Sequence, residues 1–529
     1  MTLIDTRLAE LNDTAKEKAQ ELLEMFPLGE REDHLEAFEL QTKRKLSADC
    51  LGAFEAYVNS NGGKKKPLHK AQVVVEAKFR SSFGGAAVGK LNLDNPIKSL
   101  NEDKLPREFG LMANKRNFQV EVINSVTSAY RCMDLSVAKR SEYLAARTES
   151  FAKQVLPTLV SEDVQIGRIG TGGSAVSQAV VGRICAETDG PLNGHNLIIE
   201  GDLTNSAGRR AKFYVSECQD DYCLFPGQIV GVVGRSLRGG EEFAAQSISG
   251  LEISSLPDSP VEARAGYAGG SVHVTVASGP FSPKETLNFQ VFAEITKFVS
   301  DYKPHVLVLM GPFLDAANSI VSSACIFDST GIPVTFESVY DMEIFPRLDA
   351  LAKTCVESET KLIIVPSLTE MIAEHPLPQP PLSDWEKKFP GCIAAANPSI
   401  IRINCEFDLM VTSADAVMPL TSEVFVSPSL SDKPRVDVCL EQILRQRHLF
   451  PSGTVPVDAS RAASLGWSGA GPHAFCLVSP VQQFAKSVGG RVFMNPGQVC
   501  KGSSGGSIGN FYIAAQGVDR VRAEVAKLI

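Results

Sequence analysis

The chain has 529 residues, more than the ~250–300 at which a single core stops growing, so several domains are expected. Hydrophobic residues at 44% and charged residues at 21% exclude a disordered chain, a collagen-like chain and a coiled-coil rod. The net charge is −9, and the 12 Cys and 8 His are scattered without CxxC, HxH or HExxH, which speaks against a zinc site. No apolar stretch reaches the ~18 residues of a membrane helix, and the charged start MTLIDTRLAELND has no secretory core. A cytosolic or nuclear setting with reduced cysteines is expected.

Residues 1–59 read as a small helical domain. Ile4, Leu8, Leu11, Ala15, Ala19 and Leu22 recur at steps of three and four, and Leu46, Cys50, Leu51, Phe54 and Val58 repeat the pattern. This head holds 7 Lys+Arg against 13 Asp+Glu, a net of −6. Residues 60–118 read as a basic flexible linker opened by Lys64, Lys65 and Lys66. From 63 to 117 it holds 12 Lys+Arg against 5 Asp+Glu, a net of +7. Its basic run is a nuclear import signal, a DNA contact or a solubilising tether.

A helical lead-in is expected over 119–160, through Val122, Val126, Tyr130, Val137, Leu144, Phe151 and Val155. Short strands separated by turns then fill 161–255: VQIGRI, HNLIIEG, RAKFYV and QIVGVVG. Their number and spacing predict an OB-fold barrel. Its few aromatics favour a structural barrel over a platform for single-stranded DNA. GTGGSA at 170–175 lacks the GK[ST] of a phosphate loop and reads as a turn.

Over 265–529 the pattern alternates between strands and helices. SVHVTVAS, HVLVLMG and KLIIVPS are strands apolar on both faces, with helices expected over 286–299, 338–357 and 436–447. Such strands predict an α/β domain with a layered central sheet. The loops after them are where an enzyme keeps its site. Their spacing follows the calcineurin-like metallophosphoesterases, which need carboxylate and imidazole ligands to cage two metal ions. In this chain those positions hold Ser278 and Pro280, then Gly311, Pro312 and Asp315, then Pro366, Ser367 and Glu370, then Asn495, Pro496 and Gly497. Proline offers neither a ligand atom nor a free amide. Asp315 alone is not a metal site and reads as a turn cap. No catalytic residue, metal or cofactor is therefore expected. SPK at 282–284 reads as a candidate phosphorylation site, and HPLPQPP at 375–381 as extended chain.

The ordered blocks IEGDLTNSAG, LFPGQIVGVVG, VASGPF, VLMGPFLDA, VPSLTE and MNPG resemble the family of DNA polymerase alpha B subunits, over roughly 119–529. That family belongs to the regulatory B subunits of replicative DNA polymerases. The resemblance implies an OB-fold packed on an inactive calcineurin-like phosphoesterase domain, a layered β-sandwich flanked by helices. It implies a non-catalytic scaffold in the polymerase alpha–primase complex, in the nucleus. The implied partners are the C-terminal domain of the catalytic subunit, the primase subunits and, through the head, other replication factors. DNA contact would be weak or indirect. The competing readings are a B subunit of polymerase delta or epsilon, a stand-alone single-strand-binding protein and a divergent metallophosphoesterase. Subtracting head and linker from the total leaves −10 on the remainder, which speaks against a protein that works mainly by gripping DNA.

Overall fold

The structure is a computed structural model. It describes residues 13–24, 35, 54–55, 91–92, 96–105, 118–127, 129–130, 136–172, 176–256, 271–323, 326–327, 333–373, 376–452, 455–501, 506–515 and 520–528. The chain divides into two units, Met1–Phe83 with Phe327–Ile332, and Gly84–Ile326 with Pro333–Ile529. In the first, the helix Asp13–Glu24 buries Ala19, Leu22 and Leu23. Lys18 on that helix pairs with Glu55 at 2.7 Å. Most of the remaining helical pattern of the head lies outside the described residues, as do Lys64, Lys65 and Lys66.

The second unit contains a closed barrel. Its strands are Ser177–Ala186, Leu197–Gly201, Arg210–Tyr214, Ile229–Leu237 and Glu242–Ser249. The first of these pairs antiparallel with both the second and the fourth, and the third runs parallel to the fifth, which closes the ring. Alternation decides which side chains face inward. Val180 and Ile184 point into the barrel core with Ile199, Phe213, Val232 and Phe243, while Val181 faces outward. The outward side is covered by the helix Val137–Leu159, here called the collar helix. Ser136 caps its start by accepting from the Lys139 amide, and Phe151, Ala152 and Val155 pack on Val181, Ile229 and Leu251. At Gly231 the helix comes so close that a Cβ would lie 2.4 Å from Val155.

The rest of the unit is built in four layers. The first sheet orders its strands as Leu91–Asn92, Val521–Leu528, Ser507–Ile513, Val272–Ser278, Val306–Met310, Lys361–Val365 and Cys392–Ala394. The second orders them as Phe484–Val488, Arg491–Asn495, Ala474–Leu477, Phe407–Thr412, Ser399–Ile403 and Val120–Asn124. Strands of the first sheet are apolar on both faces because both are covered. Val274, Val276, Val308 and Val365 meet Ile401, Leu409, Val411 and Met494 of the second sheet. Their neighbours Ala277, Leu307, Leu309 and Ile364 meet the helices Val291–Tyr302 and Phe345–Glu357. The outer face of the second sheet is covered by the helix Arg435–Gln446 through Cys439, Leu440 and Ile443.

Several expectations need correction. Residues 119–160 are not helical throughout: Val120–Asn124 is a strand of the second sheet, paired antiparallel with Ser399–Ile403. The span read as linker is not free to residue 118, because Lys98–Leu100 pairs with Val521–Leu528 and Phe118 packs edge-on to His305 at 5.3 Å. The layered domain is therefore not confined to 265–529. The helix placed at 286–299 runs Val291–Tyr302, and a π turn at Tyr340–Ile344 interrupts the one placed at 338–357. Ser282 is buried, so it is not presented for phosphorylation.

Candidate functional site

The loops singled out by spacing do gather at one end of the two sheets. Ser278 ends one of the adjacent parallel strands of the first sheet and Pro280, Gly311, Pro312, Pro366, Ser367 and Glu370 follow them, while Asn495 ends a strand of the second sheet and Pro496 and Gly497 follow it. These loops close on one another. The Gly279 amide donates to the Met310 carbonyl at 2.7 Å, and a Cβ on Gly279 would sit 2.2 Å from the Pro312 carbonyl oxygen. The Gly311 amide donates to Val365 at 2.9 Å, and a Cβ there would sit 2.7 Å from a Glu370 carboxylate oxygen. The Val499 amide donates to the Ser278 carbonyl at 2.8 Å. Only glycine allows the backbones this close.

Both Gly-Pro pairs have cis peptide bonds and are followed by phenylalanine. Phe281 and Phe313 stack with ring centres 5.0 Å apart, Phe281 stacks on Phe292, and Phe313 meets Trp385 edge-on. The repeated GPF is thus an anchor into the core beneath the rim.

Glu370 is buried and turned inward. Its carboxylate accepts from the Phe313 amide at 2.7 Å and the Leu314 amide at 3.0 Å, and the Tyr340 hydroxyl donates to it as well. Burial nevertheless dominates and pushes the Glu370 pKa up to about 7, with the Asp315 charge adding in the same direction. Burial, then the Glu370 charge, raises the Tyr340 pKa. Asp315 caps a turn, as its sequence position suggests, by accepting from the Ala317 amide at 3.1 Å.

Beside Glu370 lies a buried knot of neutral groups that sequence reading missed. Asn397 donates to Gln379 Oε1 and to Ser413 Oγ, both at 2.8 Å, and accepts from Thr412 Oγ1 at 2.8 Å. Ser413 Oγ donates in turn to the Pro366 carbonyl at 2.6 Å, and Gln379 Nε2 to the Ser367 carbonyl at 2.9 Å. The extended Pro-Gln-Pro-Pro run was the available signal, since a glutamine between prolines has to satisfy its amide somewhere. Asn495 is likewise saturated, donating to the Ser479 and Val481 carbonyls and accepting from the Gly497 amide at 3.1 Å. Among the described residues, no three His, Cys, Asp or Glu side chains could together hold a metal ion. These contacts bind the rim loops to one another.

The barrel is tied to the layered domain by a second amide network. The Ile229 amide donates to Gln446 Oε1 at 3.0 Å, Gln446 Nε2 donates to the Ile229 carbonyl at 2.8 Å, and Gln228 Nε2 donates to Gln442 Oε1 at 3.0 Å. A two-residue ladder between Cys223–Leu224 and Phe425–Val426 continues the junction.

A barrel fixed to an α/β/β/α domain with a sealed rim defines a class, and residues 274–486 match the family model described as the DNA polymerase alpha/epsilon B subunit. Over its layered domain the chain is thus similar to polymerase B subunits. The barrel narrows the comparison: residues 141–251 match the model of the OB domain of the DNA polymerase alpha B subunit. The relative from Schizosaccharomyces pombe, named as the B subunit of DNA polymerase alpha, is 26% identical over 465 residues, covering 82% of this chain and 75% of its own. Relatives of the same name from Rattus norvegicus and Bos taurus are 28% and 30% identical over 64% and 51% of this chain. The chain spans about half the length of the rat relative, 54%, and 43% of the cattle one.

Proposed function

We propose that this chain is a non-catalytic scaffold subunit of a DNA polymerase alpha–primase assembly. The observation that carries the reading is the sealed rim. Where a two-metal phosphoesterase would open its ligand loops, prolines, glycines and neutral amides close them, and the carboxylate of Glu370 is spent on backbone amides. The layered domain is read as a calcineurin-like phosphoesterase that has lost its metal ligands. Barrel and layered domain together would present one face to the C-terminal domain of the catalytic polymerase subunit, with primase in the same complex. Permanent interfaces of this kind bury about 2,000 Å² or more. The acidic head would recruit other replication factors, and Lys64, Lys65 and Lys66 would serve nuclear import or a weak DNA contact.

Affinity purification of the full chain from nuclear extract tests this. Stoichiometric recovery of polymerase and primase subunits is expected; recovery of the monomer alone sinks the proposal. A companion assay measures manganese-dependent hydrolysis of a generic phosphodiester. No turnover above buffer is expected, and turnover abolished by Asp315→Ala would make the chain an enzyme instead.

A further inference from the structure

Where the collar helix begins, a cavity of about 420 Å³ opens between the helix, the barrel and residues of 448–452 and 455–462. Its wall divides by chemistry. Arg140, Arg147 and Arg183 supply a cationic side, while Val137, Leu144 and Phe450 supply an apolar one. Val137 is 87% exposed, which is unusual for a branched apolar side chain on a helix that buries its other face.

The positive charge is incompletely offset. Arg183 pairs with Glu200, a carboxylate that Arg210 also uses. Lys139 and Arg140 occupy the first turn of a 23-residue helix that has no acidic residue there. Cations at that end oppose the helix dipole. Arg147 Nη2 is buried and meets no hydrogen-bond acceptor. Burial pushes the Arg147 pKa down, Tyr143 works against this, and the Arg183 guanidinium adds to it. His448 adds no further positive charge, because burial and the Arg147 charge hold it neutral, its pKa lowered to about 3. The carboxylate in the wall, Asp458, is engaged by the Tyr130 hydroxyl and by the Ser460 amide at 2.9 Å. An unpaired guanidinium nitrogen kept out of water is expensive unless something anionic reaches it.

We propose that the cavity receives a carboxylate side chain from a partner protein, carried on a short segment with an apolar neighbour, and that Arg147 Nη2 and Arg140 are its donors. The apolar side of the wall favours protein over a phosphate backbone, and the space admits side chains rather than a nucleic-acid strand. The acidic excess from residue 118 onward works against nucleic acid as well. The inference follows from the cavity alone and stands apart from the polymerase assignment.

The test pans a random peptide library on the full chain and on its Arg147→Met and Arg140→Met variants. Peptides kept by the wild type and lost by the variants should be enriched in Asp or Glu beside an aliphatic or aromatic residue. A representative peptide should bind each variant about tenfold more weakly, the scale of one charge-assisted hydrogen bond. Because Arg147→Met removes a buried guanidinium that has no carboxylate facing its Nη2, the free variant should melt no lower than the wild type. A clear drop in its Tm would make Arg147 a structural residue and overturn the proposal. A variant-sensitive pool without acidic enrichment overturns it too. So does Arg147-dependent binding of a labelled oligothymidylate, which would identify nucleic acid as the occupant.

Discussion

Glu370, in the loop after the strand Lys361–Val365, works as a rivet for two loops and a tyrosine. Its raised pKa has a measurable sign. In the unfolded chain the carboxyl titrates near 4.5 and in the folded chain at about 7, so the folded form holds a proton the unfolded form releases. This contribution is full below pH ~4.5 and is lost as pH rises toward ~7, over a range worth roughly 3 kcal/mol. His448 and His473 act oppositely: burial lowers their pKa values to about 3 and about 4, so their contribution is lost as pH falls below 6.5. The difference between wild type and Glu370→Gln isolates the carboxyl. Thermal melts from pH 5 to 8 should show the wild type losing ground to the variant; parallel profiles would mean that Glu370 stays ionised throughout. Phe313 makes a simpler case. Its ring lies fully buried between Phe281 and Trp385, and Phe313→Ala should cost about 3–5 kcal/mol in denaturant unfolding. A loss below ~1 kcal/mol would mean the site collapses without a cavity.

At the scale of elements, what was legible followed from local pattern. Val306–Met310 is an unbroken apolar run, Lys361–Val365 is apolar after its lysine, Val272–Ser278 alternates Val272, Val274 and Val276 with His273 and Thr275, and the loops that follow them meet at one rim. Val120–Asn124 was misread because Val122, Val126 and Tyr130 also fall at helical steps. What makes it a strand is an open edge at Ser399–Ile403, nearly three hundred residues away in the chain, and no local pattern records that. The direction of Glu370 was not legible: nothing in VPSLTE tells that the side chain turns inward onto the amides of Phe313 and Leu314. The borrowed strand carries a prediction. Deleting 118–127 exposes the unpaired edge of Ser399–Ile403 along with Ile401 and Ile403, so the variant should self-associate. Light scattering should report oligomers; a monodisperse monomer would show that the edge needs no cover.

For the unit that holds barrel and layers, the junction at Gln446 matters most. One side chain both donates to and accepts from Ile229, in the manner of a ladder pair between two domains. Gln446→Ala leaves two buried backbone groups without partners, at about 1–3 kcal/mol each. Calorimetry should then resolve the barrel and the layered domain as separate transitions, where one joint transition is expected of the wild type; a variant profile identical to the wild type's would locate the coupling elsewhere.

The strand Val521–Leu528 lies between Ser507–Ile513 on one side and Lys98–Leu100 on the other, and its Arg522 reaches back to the Leu105 carbonyl at 2.7 Å. Early residues are thus held by residues made much later, 417 positions on in the case of Leu105 and Arg522. On a ribosome adding about 5–20 residues per second, the first sheet stays open for tens of seconds after its earliest strand has emerged. For that interval the nascent protein depends on whatever shelters exposed strands.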